Sequence, residues 1–160
     1  MKQKTKWIVG AGAAVVFAAL QLTNPARTNP PVLPGHDLMA TNPPPPQVAA
    51  LLHGACYDCH SYQTQWPWYS HVAPVSWLIA SDVKGGRRRL NFSEWPHAHP
   101  ASAAHRWENV SEELGYNEMP PVQYRWMHPA ARLTGAQRQQ LIQWADQEAK
   151  RLKTSAATVK

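Results

Sequence analysis

Apolar and polar positions along the chain separate into four stretches of different character. From Trp7 to Leu22 there is no charged residue, and Lys2, Lys4 and Lys6 stand in front of it. A basic start followed by an apolar run is the pattern of a signal peptide or of an uncleaved anchor. Gly10, Gly12 and many alanines leave no amphipathic stripe, so the run does not read as a core helix. The flank Gln21-Leu22-Thr23-Asn24-Pro25-Ala26 has no clean small-residue cleavage site. Residues 1–22 are therefore read first as a signal anchor, with a cleaved signal peptide as the competing reading. The lysines place its N-terminus in the cytoplasm and export the rest of the chain.

Residues 23–46 are dominated by proline, ending in the tetraproline Pro43 to Pro46. Such a segment is expected to be an extended spacer. Helical periodicity begins after it. Val48, Leu51, Leu52 and Ala55 form one apolar face, with Pro46 suited to the first turn. A second helix is expected from Pro74 to Lys84, stopped by Gly85-Gly86. A third runs from Pro100 to Leu114, with Ala104, Trp107, Val110 and Leu114 on one face and Gly115 as a left-handed terminator. The fourth starts at a capping box, Thr134 with Gln137, and carries Leu141, Trp144, Ala145, Ala149 and Leu152. No stretch alternates with period two. The expected fold is all-α, with a folded domain over 47–153, a flexible tail over 154–160 and long proline-bearing loops.

The chemistry sits at the end of the first of these helices. Cys56-Tyr57-Asp58-Cys59-His60 is a C-x-x-C-H motif, the attachment signature of c-type haem. Two thiols three residues apart can reach the two vinyl groups on one edge of a porphyrin. The adjacent imidazole then falls under the iron. With 2 cysteines and 8 histidines in 160 residues, chance placement has odds of roughly one in a thousand. A redox dithiol would need a βαβ context, which is absent. A zinc site would need paired histidines, which are also absent. A structural disulfide would leave His60 without a purpose.

A wider set of residues carries a family resemblance. It runs from the motif through Thr64-x-Trp66-Pro67-Trp68-Tyr69-Ser70, Ala73-Pro74-Val75-Ser76-Trp77-Leu78-Ile79, Asp82-Val83, Gly86-Arg87 and Leu90-Asn91-Phe92-Ser93-x-Trp95. It continues in Met119-Pro120-Pro121, Tyr124, Met127-His128-Pro129-x-Ala131 and Leu133-Thr134. Over about residues 47–146 the chain resembles the bacterial haem-binding domain family. The resemblance implies a small cytochrome c-like domain around one covalent haem c, often membrane-tethered.

A six-coordinate haem needs a second axial ligand. Met119 is the candidate: it comes after the expected helix end at Gly115 and is held by Pro120-Pro121. Methionine ligation raises the reduction potential relative to two histidines. Met127 and His128 rank behind it, and Tyr124 with His128 reads as support for the ligand loop. His53, His97, His99 and His105 read as surface or capping residues. Trp66, Trp68, Tyr69, Trp77 and Trp95 are expected to pack around the haem. Arg87 and Trp95 are both candidates to bind its propionates.

Composition then changes the reading of the charge. The net charge is +6, but Lys2, Lys4 and Lys6 belong to the targeting segment. From Thr23 onward there are 13 basic and 10 acidic residues, and two propionates would remove most of the excess. Nucleic acid is not an expected partner. The cluster Arg87-Arg88-Arg89 is left as a solvated loop or a docking patch for an acidic redox protein or lipid headgroups. Two function classes remain. One is an exported monohaem electron carrier on the periplasmic side of the inner membrane. The other is a haem-based sensor or peroxidase-like protein with a labile sixth ligand, using His71, His128 or Arg125 as polar distal groups.

Overall fold

The computed structural model describes residues 2–95 and 99–158, so the expectation for His97 lies outside the described residues. Among these residues the chain is built from eight α-helices and short 3-10 turns, with no strand. They are α1 (Lys2–Leu20), α2 (Leu38–Thr41), α3 (Pro46–Ala55), α4 (Tyr57–His60), α5 (Val75–Arg89), α6 (Pro100–Gly115), α7 (Val122–Met127) and α8 (Gly135–Thr158).

α1 is mostly apolar, and it is exposed from Gln3 to Ala19. The span Gln3–Thr23 has a mean hydropathy of 1.5 and none of it is buried. It is long and apolar enough to cross a membrane, as a membrane anchor or a signal sequence is.

The proline-rich segment departs from the free spacer expected of it. Leu38 is wholly buried. Asp37 caps α2 through Met39 N–H at 2.9 Å. It also accepts from Tyr57 Oη at 3.1 Å and Gln63 Nε2 at 2.9 Å. Prolines set an extended backbone, yet one leucine and one carboxylate suffice to fasten its second half onto the domain. Arg87 fastens the first half. It donates to Thr28 O and Asn29 Oδ1, and also to Ser61 O and Thr64 Oγ1. Arg87 is thus engaged as an internal clamp.

α6 and α8 pack along each other and supply the core. Trp107, at 0 % exposure, meets Trp144 edge-on at 4.6 Å, Trp95 at 5.2 Å and Phe92 at 6.0 Å. Phe92 stacks on Tyr57 at 5.1 Å. A column of rings therefore runs from α8 to the C-x-x-C-H turn. Trp95 joins it, but Trp68 and Trp77 do not: both are exposed. The 3-10 turn and the start of α5 present those two indoles outward.

Local signals mostly hold. Thr134 and Gln137 form the reciprocal capping box, Thr134 N–H to Gln137 Oε1 at 2.8 Å and Gln137 N–H to Thr134 Oγ1 at 3.2 Å. α8 continues to Thr158, through most of the expected tail. The left-handed residue after α6 is Asn117, at φ 60°, not Gly115.

Gly85-Gly86 does not stop α5, which runs on to Arg89. The reason lies in packing. A Cβ at Gly86 would sit 2.5 Å from Cys59 O, whereas one at Gly85 would meet nothing within 4 Å. Gly86 lets α5 pass directly over the motif turn. Gly86→Ala is expected to destabilise the domain by about 1–3 kcal/mol. Gly85→Ala should be neutral or stabilising by about 0.5–1 kcal/mol. Thermal unfolding of the two variants checks the contrast; equal effects would refute the close approach.

Candidate cofactor site

α3 ends at Ala55, and the backbone turns through Cys56 into the single turn α4 that carries Tyr57 to His60. Each of its four residues is held in place. Tyr57 is fixed by Asp37 and Phe92. Asp58 Oδ2 accepts from Tyr124 Oη at 2.7 Å, and Asp58 Oδ1 accepts from Gln65 N–H at 2.8 Å. Cys59 lies under Gly86. His60 Nδ1 is 3.1 Å from Leu90 O, which fixes it as the protonated nitrogen and leaves the Nε2 lone pair for a ligand.

Burial governs the titration of this cluster. It pushes the Cys56 thiol up to about 12, with Cys59 adding to the rise. It does the same for Cys59, helped by Asp58 and Asp82. Both thiols stay protonated at neutral pH and are free rather than paired in a disulfide. Burial also lowers the His60 pKa, so the ring stays neutral. Among the described residues no three His, Cys, Asp or Glu side chains gather as a metal-binding group, so a zinc reading of the cysteines has no further ligands here.

Two cavities, of about 300 and 320 Å³, are both lined by Cys56, His60, Arg89 and Met119. Leu52, Leu90, Phe92, Val110 and Leu114 give the first an apolar wall, and Cys59 joins the second. The structure thus brings together all four residues singled out in the sequence: Cys56, Cys59, His60 and Met119. Met119 is held by its backbone, which accepts from Arg138 Nη1 at 3.0 Å and donates to Glu113 O at 3.3 Å.

Other candidates lie elsewhere. His71 is exposed, and Arg125 donates to Asn117. Met127 and His128 line a separate groove. His128 stacks on Tyr124 at 3.8 Å and meets Tyr69 Oη at 3.2 Å, so this pair braces Asp58. His53, His99 and His105 are exposed. Sequence reading placed Arg89 only in the Arg87–Arg89 cluster and missed Arg106. Both lie on the cavity wall, and Arg106 Nη1 donates to Arg89 O at 2.6 Å. No motif puts the two together, because a helix end and a helix face meet there only in three dimensions.

These residues fit a haem. The first cavity offers an apolar wall to a porphyrin, and soft sulfur and imidazole donors line both cavities. Arg106 Nε is buried on the wall with no hydrogen-bond partner, as expected of a donor that meets an anionic carboxylate. No curated protein and no solved structure matches the chain. A family profile described as a haem-binding domain matches residues 15–147. That match starts inside α1 and ends in α8, taking in the proline-rich segment that packs on the domain. A stretch of this length places the chain in the haem-binding domain family.

Proposed function

We propose that the chain is a monohaem c-type electron carrier, held at the periplasmic face of the inner membrane by residues 1–22 as an uncleaved anchor. The Cys56 and Cys59 thiols form the thioether links. His60 Nε2 and the Met119 thioether would ligate the iron, and Arg106 with Arg89 would neutralise the propionates. A haem held this way supplies one-electron cycling between ferrous and ferric iron, at a potential set by ligands and burial. Residues 47–153 act as the haem-binding unit.

The observation that carries the reading is the company of His60. Met119 shares both cavities with it, whereas His71, His128 and Arg125, the polar groups a sensor or peroxidase would use, line neither. Pro120 and Pro121 come directly after Met119 and restrict its release. The purified holoprotein is expected to give a low-spin ferric spectrum, a single one-electron wave on potentiometric titration and no carbon monoxide adduct. A high-spin ferric spectrum with rapid carbon monoxide or peroxide binding would overturn the carrier reading.

A further inference from the structure

The end of α1 is fastened to the start of α5. Ala73 N–H donates to Gln21 Oε1 at 2.9 Å, and Gln21 Nε2 donates back to Ala73 O at 3.3 Å. Asn24 Nδ2 donates to His71 O at 3.2 Å, and Asn24 Oδ1 accepts from the Ser76 hydroxyl. Trp77 Nε1 donates to Thr23 O at 3.1 Å. The surface beside this junction is unusual for an exported domain. From Cys59 to Ser81 the sequence has no Asp, Glu, Lys or Arg. Trp68 is 75 % exposed and Trp126 69 %, and Leu78 and Met127 are exposed with them.

These four side chains rim an apolar groove of about 360 Å³ with Cys59 on its lining. Its two carboxylates, Asp58 and Asp82, are part-buried and hydrogen-bonded, Asp58 by Tyr124 and Gln65 and Asp82 by Gln123. A contiguous exposed apolar patch of this kind marks an interaction surface.

We propose that the Trp68–Trp126 face lies in the interfacial layer of the same membrane that α1 crosses, with the groove open to lipid. The inference rests on the anchor reading of α1. Continuity selects the occupant: the hydrogen bonds of Gln21, Asn24 and Trp77 hold residues 71–77, the segment between Trp68 and Leu78, at the end of the apolar helix. Its chemistry agrees. Indole rings favour the headgroup boundary, where an apolar body and a polar N–H are both satisfied. Docking this way holds the attachment turn against the bilayer instead of out on a spacer, which directs electron exchange toward partners within the membrane.

The test uses the full-length holoprotein labelled with fluorotryptophan, in phosphatidylethanolamine–phosphatidylglycerol vesicles. Single Trp→Phe variants assign the fluorine resonances. A phospholipid carrying a nitroxide high on its acyl chain is then added. Loss of the Trp68 and Trp126 resonances, with buried Trp107 and Trp144 retained, is the expected result. Loss of Trp7, on α1, with Trp68 and Trp126 unchanged would overturn the docking and leave the anchor standing. Retention of all of them, with protein that does not float with the vesicles, would overturn both.

Discussion

Replacing Cys56 and Cys59 together by serine is expected to yield a protein from which acidified acetone removes all haem, while the parent retains it through denaturing electrophoresis. The effect is all-or-none because both covalent links are lost. Each cysteine is half-buried and held in place by a separate device: Cys56 at the end of α3, Cys59 beneath Gly86. Serine is close in volume, and the aromatic column from Tyr57 to Trp144 does not involve either sulfur. Helix content by circular dichroism should therefore be largely kept. Haem staining that survives denaturation in the double variant would defeat the attachment. The single variants refine the result: each should keep one thioether, and with it a shifted α-band in the reduced spectrum.

How far this site was legible in the sequence depends on the range of each interaction. The motif Cys56 to His60 is local, so five consecutive residues announce it. Helices α3, α6 and α8 were legible because their apolar faces repeat with a period the helix imposes, and Thr134 with Gln137 marks a start within one turn. Gly85-Gly86 misled for a definite reason. Glycine at a helix end and glycine at a helix crossing look alike in sequence, and only the approach to Cys59 O separates them. Asp37 in the proline-rich segment was equally hidden, since its partners Tyr57, Gln63 and Ser93 are distant along the chain. The same holds for Arg106, whose meaning comes from a cavity wall assembled by α3, α6 and the turn at Leu90. The exposed tryptophans carried no sign of which way they would face. Composition reports that bulky rings are present, and only the packing of the helices decides that Trp107 is core and Trp68 is surface.

Met119→Ala should convert the ferric iron from low to high spin and abolish the weak long-wavelength sulfur-to-iron charge-transfer band. The variant is a clean test because the loop does not depend on the side chain it loses. Arg138 Nη1 bridges Leu114 O and Met119 O, both at 3.0 Å, and Glu113 O holds the Met119 N–H. Pro120 and Pro121 stiffen the next stretch of backbone. All of the bonds at residue 119 use its backbone atoms, so truncation leaves the loop in place and removes only the thioether. Thermal unfolding monitored at the Trp107 cluster should shift little beyond the loss of one axial bond. Met119→His is the complementary change. An imidazole in place of the thioether keeps the iron low-spin, yet it should lower the reduction potential by on the order of 0.1–0.2 V, since methionine favours the ferrous state more than histidine does. A spectrum unchanged in Met119→Ala would remove Met119 as ligand. A potential unchanged in Met119→His, with an unchanged spectrum, would do the same by an independent route.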